Sequence, residues 1–161
     1  MKLSEYIEKY GDCEVTDEID KCIVKMPKTI YDLKYGDEYF FLTESGIVQG
    51  GIWRDDMISL SMLSIGNMFL TEEDAEFAIE RLKVIAELKK YAREFSDEEW
   101  ENGISGKYCI KFDWTANKVI IHCIFVIKGV EIYFETEEKA QEAIKWVGED
   151  RVKKYYLGVK E

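Results

Sequence analysis

The sequence predicts an α+β fold, an antiparallel sheet covered by helices, arranged as two tandem βββα units behind an N-terminal helical extension. Three observations carry that prediction: an internal repeat, the same helix-start signal in both copies, and strand-like alternation ahead of each. Set Phe69 against Phe134, and Thr71, Glu72, Glu73, Ala75, Ala78 and Ile79 fall on Thr136, Glu137, Glu138, Ala140, Ala143 and Ile144, at a constant offset of 65 residues. In each copy an apolar pair (Met68-Phe69, Tyr133-Phe134) runs into a threonine whose hydroxyl can accept from an unpaired backbone N–H. Two glutamates then occupy the first turn, where the helix dipole favours negative charge. Asp74, three residues after Thr71, makes a variant of the capping box, and Lys139 stands at that place in the second copy.

Taken in order, Leu3 to Tyr10 reads as a short amphipathic helix and Asp17 to Val24 as a second, interrupted at Pro27. Glu38 to Leu42 and Ile47 to Trp53 read as a hairpin around Glu44-Ser45-Gly46. Arg54-Asp55-Asp56 reads as a loop, Met57 to Ile65 is apolar without clear alternation, and Gly66-Asn67 turns into a third strand. From Ala75 to Phe95 the apolar positions keep one helix face. About 25 residues at ~1.5 Å each make about 37 Å, long enough to cross the sheet.

An acidic connector follows, in which Ser96 caps a short turn of Asp97 to Trp100. Lys107 to Trp114 alternates, Tyr108, Ile110, Phe112 and Trp114 against Lys107, Cys109, Lys111 and Asp113, which is a half-buried strand. Lys118 to Lys128, nearly all apolar, reads as a central strand covered on both faces, and Val130 to Phe134 closes a meander. A helix from Glu137 to Val147 stops at Gly148, and Glu149 to Tyr156 continues as a last helical segment. The division is one domain, 1–161: a helical extension (1–28), a first βββα unit (29–95), the acidic connector (96–106), and a second unit with the C-terminal helix (107–161).

The chain has 161 residues, 47% of them apolar and 14% aromatic, with a single proline, which suits one packed domain rather than a disordered chain. No apolar run approaches a membrane span, and the start, MKLSEYIEKYGD, has acids where a signal peptide has its apolar stretch. A cytoplasmic protein is expected. Cys13, Cys22, Cys109 and Cys123 form no C-x-x-C pair and read as reduced thiols. His122, the only histidine, faces away from Cys123 in a strand, so no metal or cofactor is expected.

The net charge of −11 is uneven. Residues 1–56 carry 13 acids against 7 bases, residues 57–105 carry 11 against 5, and residues 106–161 carry 9 against 10. That balance argues against direct binding to a nucleic-acid backbone, which wants clustered Lys and Arg. It suits a basic partner. The candidate partner-binding surface is the acidic helix face and connector: Glu73, Glu76, Glu80, Asp97, Glu98, Glu99, Trp100 and Glu101. Its bland counterpart is a solvated helix face.

The positive C-terminal third offers a second candidate site, Trp146, Arg151, Lys153, Lys154, Tyr155 and Tyr156. Arg and Lys suit phosphates and aromatic rings suit bases, so this set would sequester a signalling nucleotide, unless the rings merely dock the last helix. Catalysis is not indicated. Glu72-Glu73-Asp74 and Asp55-Asp56 are carboxylate runs, but consecutive helical residues diverge by about 100°, and no nucleophile, base or glycine-rich phosphate loop accompanies them.

The segments KTIYDLKYGDEYFFL, IGNMFLTEEDAEFAIERLKVIAELKKYA and FETEEKAQEAIKWVGEDRVKKYY resemble small proteins of phages and prophages of Gram-positive bacteria. The clearest mark is G-N-x-F-x-T-x-E-x-A-E, Gly66 to Glu76. Ser61-Met62-Leu63-Ser64 stands where a charged residue would precede Gly-Asn. The resemblance implies an accessory protein that antagonises host defence, as anti-CRISPR and anti-restriction proteins do. On that basis the expectation is a non-enzymatic inhibitor of a host defence protein or nuclease complex, its acidic helix and connector standing in for nucleic acid in a basic channel or an apolar contact serving instead, with pairing of sheet edges into a homodimer left open.

Overall fold

The computed structural model describes residues 29–159, together with the backbone of two short strands, β1 (Glu14–Val15) and β2 (Val24–Lys25), paired antiparallel. The helix read over Leu3 to Tyr10 lies outside the described residues, as does most of Asp17 to Val24; Val24 itself lies in a strand. The fold is α+β, with every strand pair among the described residues antiparallel. Contacts gather into two compact units, Met1–Ala75 and Glu76–Glu161.

In the first unit, Glu38–Leu42 (β3) and Val48–Ile52 (β4) form the expected hairpin, turned by Gly46 at φ 72°. Tyr39 lies opposite Gly51, and a Cβ there would sit 2.8 Å from the Tyr39 ring, so the phenol occupies space that only glycine leaves free. Phe69 adds a one-residue antiparallel bridge to Phe40. The third strand is thus a single bridge on the β3 side. Leu33, Tyr39, Trp53 and Met68 make the core, with Met62 and Leu63 packed against it.

Met62 and Leu63 belong to a helix the sequence did not announce, α1 (Met57–Ser64), capped by Asp56, whose carboxylate accepts from the Ser59 N–H at 2.8 Å. The next helix, α2 (Glu72–Lys89), has 18 residues and is shorter than the 25 expected. Its last turn tightens into three-residue hydrogen bonds at Lys90, Tyr91 and Ala92, and the Arg93 N–H then donates to the Tyr133 carbonyl. The continuing apolar periodicity to Phe95 therefore belongs to chain leaving the helix.

In the second unit, α3 (Asp97–Glu101) is followed by β5 (Lys107–Asp113), β6 (Lys118–Ile124) and β7 (Tyr133–Phe134). The strand order is β6-β5-β7. This corrects two expectations. The apolar run of Lys118 to Lys128 is an edge strand ending at Ile124, and β7 returns to β5 rather than closing a meander on β6. An apolar run alone does not distinguish a central strand from an edge, because pairing is set by where the chain returns.

The helix α4 (Glu137–Val147) starts on Thr136, which accepts from the Lys139 N–H, and stops at Gly148 with φ 95°. The chain goes on as α5 (Glu149–Arg151) and a π-turn, Val152–Tyr156. Val84 and Leu88 of α2, Ile110 of β5, Phe134 of β7, and Ala140, Ala143 and Val147 of α4 form the core with Val152. In each unit the third segment lies beside the first hairpin strand, Phe69 on β3 and β7 on β5. But α2, expected as the helix of the first βββα unit, runs from Glu76 onward in the second unit and sends Val84 and Leu88 into that unit's core.

Candidate binding surfaces

The G-N-x-F motif is explained by its own backbone. Gly66 takes φ 71°, a conformation that side chains resist. Asn67 then accepts from the Leu42 N–H and donates to the Leu42 carbonyl, both at 2.8 Å, so its amide serves as the next strand residue for the end of β3. Met68 is buried, Phe69 bridges Phe40, and the Thr71 hydroxyl accepts from the Asp74 N–H and donates to its carboxylate. Every fixed letter up to Thr71 has a structural task.

The predicted acidic surface is partly neutralised from within. Glu80 is tied to Lys83 at 2.6 Å and to Arg151 at 3.5 Å, and these partners hold its carboxyl below the usual range, the Lys83 hydrogen bond most strongly. Glu99 accepts from the Ser96 N–H, closing a capping box, and pairs with Arg93 at 2.7 Å. The Ser96 bond is the larger cause of its lowered carboxyl value. Asp97 meets Lys128 at 3.0 Å. Glu73, Glu76, Glu98 and Glu101 remain exposed.

Trp100 corrects the site prediction. It is 5% exposed and packs against Phe95, Cys109 and Tyr133, its ring 4.9 Å from that of Tyr133. In the short turn of α3 it is the one large apolar side chain, and it points inward while Asp97, Glu98 and Glu101 face solvent.

Beneath it lies Lys107, fully buried, which the strand alternation had placed on the polar side. Its ammonium donates to three backbone carbonyls, those of Glu99, Ser105 and Phe125, at 2.5, 3.0 and 3.1 Å. Three donors meet three acceptors, which satisfies the charge without a carboxylate.

The second predicted set does not converge on one pocket. Arg151 makes a forked pair with Glu87, at 2.9 and 3.3 Å. Lys153 covers the Phe112 ring, Lys154 the Tyr155 ring, and Tyr155 packs on Phe77. The Tyr156 hydroxyl accepts from the Ile132 N–H, while Trp146 is exposed on α4. Most of these side chains dock the C-terminal segment.

Two features missed by the sequence reading stand out. The first is α1. It buries Ser59, with Met62 and Leu63 on the core, yet Met57, Ile58, Leu60 and the following Ile65 are 82%, 69%, 47% and 72% exposed. A helix without charge and with large apolar residues on both sides is ordinarily enclosed. The signal was an uncharged stretch, Met57 to Ile65, in which Ser59, Ser61 and Ser64 interrupt apolar residues without a period that marks one face. In the same unit Tyr31 and Tyr35 are also exposed.

The second is a cavity of about 560 Å³ in the second unit, walled by Arg81, Ile85 and Lys89 of α2, by β5, and by residues 130–132. Lys111 crosses to Glu131 at 3.1 Å. Glu131 in turn accepts from the Tyr133 hydroxyl at 2.8 Å, and that hydroxyl accepts from the Gly129 N–H at 2.6 Å. This chain of bonds fixes the 129–133 wall, and burial pushes the Tyr133 phenol up to about 12.

Among the described residues, no group of three or more His, Cys, Asp or Glu is placed to hold a metal ion, and no helix is long and apolar enough to cross a membrane. Compared with protein-family models, curated proteins and solved structures, the chain matches none.

Proposed function

We propose that the chain is a non-enzymatic binding protein that docks onto another protein and blocks it, and that, in the phage setting implied by the sequence resemblance, its target belongs to a host defence system. The observation that carries this is the outward apolar face of α1: Met57, Ile58, Leu60 and Ile65 exposed on a helix whose other side already packs on the core. Several large apolar side chains exposed on one short helix, here interleaved with the exposed Ser61 and Ser64, are a common mark of interaction sites.

Charge defines the partner. Residues 29–75 carry 9 acids against 2 bases, and Asp55 and Asp56 directly precede α1. The partner is therefore a protein offering an apolar groove with a basic rim. Complementary rim charge steers association, while the buried apolar anchors supply most of the affinity. This shifts the contact away from Trp100, Glu99 and Glu80, whose side chains serve the fold, and keeps the acidic character as a guide.

The test is capture from a Gram-positive host lysate by tagged protein, in parallel with Ile58→Asp/Ile65→Asp and with Glu98→Gln/Glu101→Gln. A stoichiometric host protein retained by wild type and by the glutamine variant, and lost by the aspartate variant with an unchanged fold, supports the reading. Equal retention by all three overturns the assignment to α1. Self-association that is lost with the aspartate variant would mean that the occupant is a second copy.

A further inference from the structure

We propose that the cavity between α2 and the exposed end of β5 is a binding site for a small anionic molecule carrying a flat aromatic ring, of the nucleoside diphosphate class. The site is separate from α1 and does not depend on the reading given to that helix.

Arg81, Ile85 and Lys89 are spaced by four along α2, so their side chains line one face of the helix. Arg81 and Lys89 lie eight residues apart, about 12 Å along the axis at ~1.5 Å per residue. Both are exposed, and neither has an ion-pair partner among the described residues. Lys111 is the third cation, and Glu131 is the one carboxylate among the described lining residues. In a chain of net charge −11 this excess of positive charge stands against the general balance. It is the electrostatic requirement for an anion.

The aromatic requirement is met by Trp114. It is 74% exposed and is held edge-on by Phe112, with ring centroids 4.9 Å apart at 80°. An exposed indole braced by a neighbouring ring presents a face on which a base can stack. Ile85, Ile110 and Ile132 of the same lining supply apolar wall. One wall, residues 131–133, is pinned twice: the Ile132 N–H donates to the Tyr156 hydroxyl, and Glu131 bonds both Lys111 and the Tyr133 hydroxyl. A volume of about 560 Å³ falls within the common range for ligand sites, about 300–1,000 Å³.

The site differs from the nucleotide set read from the sequence, sharing only Tyr156. Arg151 is committed to Glu87 and Lys153 to Phe112. Arg81, Lys89 and Trp114 are left to receive a ligand.

The experiment is calorimetric titration of the full chain with ADP, with adenosine and with pyrophosphate as partial probes. Saturable ADP binding is expected, tighter than either fragment, with about tenfold loss in Arg81→Ala/Lys89→Ala and a similar loss in Trp114→Ala. These positions are exposed, so the variants fold. No saturable binding of ADP up to about 1 mM, or ADP binding unaffected by these variants, overturns the proposal. Pyrophosphate binding as tightly as ADP overturns the aromatic part of the assignment.

Discussion

The Lys107 Nζ stands 4.9 Å from the centroid of the Trp100 indole and 5.7 Å from that of the Phe95 ring. An ammonium ion bonded to three carbonyls and laid against two aromatic faces ties α3, the start of β5 and the end of β6 to one point. Cation–π contact is strongest where water is excluded, and here the lysine is fully buried.

Lys107→Met should therefore be costly although the side chain keeps its length. The substitution strands three carbonyls, each unsatisfied buried group costing about 1–3 kcal/mol, so a loss of about 3 kcal/mol or more is expected. Urea unfolding of the variant measures it. Lys111→Met, whose lysine is half-exposed and paired with Glu131, should lose about 1 kcal/mol or less.

Asn67→Ala should also destabilise, by about 2 kcal/mol, because both Leu42 backbone groups lose their partner. Asn67→Asp should recover little, since a carboxylate accepts from the Leu42 N–H but cannot donate to its carbonyl. Amide exchange at Leu42 is the local readout, and it should accelerate in both variants.

Alkaline pH tests the Tyr133 network. The Tyr133 phenol is raised to about 12, burial being the main cause, while a free phenol titrates near ~10. The folded state thus holds this proton more tightly than the unfolded chain. Its contribution is fully present below about pH 10 and is lost as pH rises through about 12. Tyr133→Phe should remove this part of the alkaline loss and cost about 1–3 kcal/mol at neutral pH, because Gly129 N–H and Glu131 lose a partner. Unfolding midpoints of both proteins between pH 8 and 12 decide it.

Much of the framework was legible because it is written in local signals. Thr71 and Thr136 start helices, Ser96 caps α3, Gly46 turns the hairpin and Gly148 ends α4, each through a backbone requirement that one residue meets. What escaped depends on tertiary pairing. The strand alternation put Lys107 outward, but carbonyls from Glu99, Ser105 and Phe125 surround it, and only the folded chain assembles them. The run through β6 looked central, yet β7 pairs with β5.

The candidate surfaces were less legible for the same reason. Sequence charge marked Glu80, Asp97 and Glu99 as available, whereas Arg151, Lys128 and Arg93 reach them from elsewhere in the chain. The face of α1 was hidden because apolar residues on both sides erase the period. Arg81 and Lys89 drew no notice among the charges of α2 until β5 brought Trp114 to the same cavity.

The central claim is that α1 carries the partner contact. It is tested most directly by hydrogen–deuterium exchange of the chain with and without the host protein it captures. The account predicts slowed exchange over 57–65, with smaller effects at the first turn of α2. Protection confined to Glu98 through Glu101 and to the middle of α2, with 57–65 unchanged, would contradict it and return the contact to the acidic face.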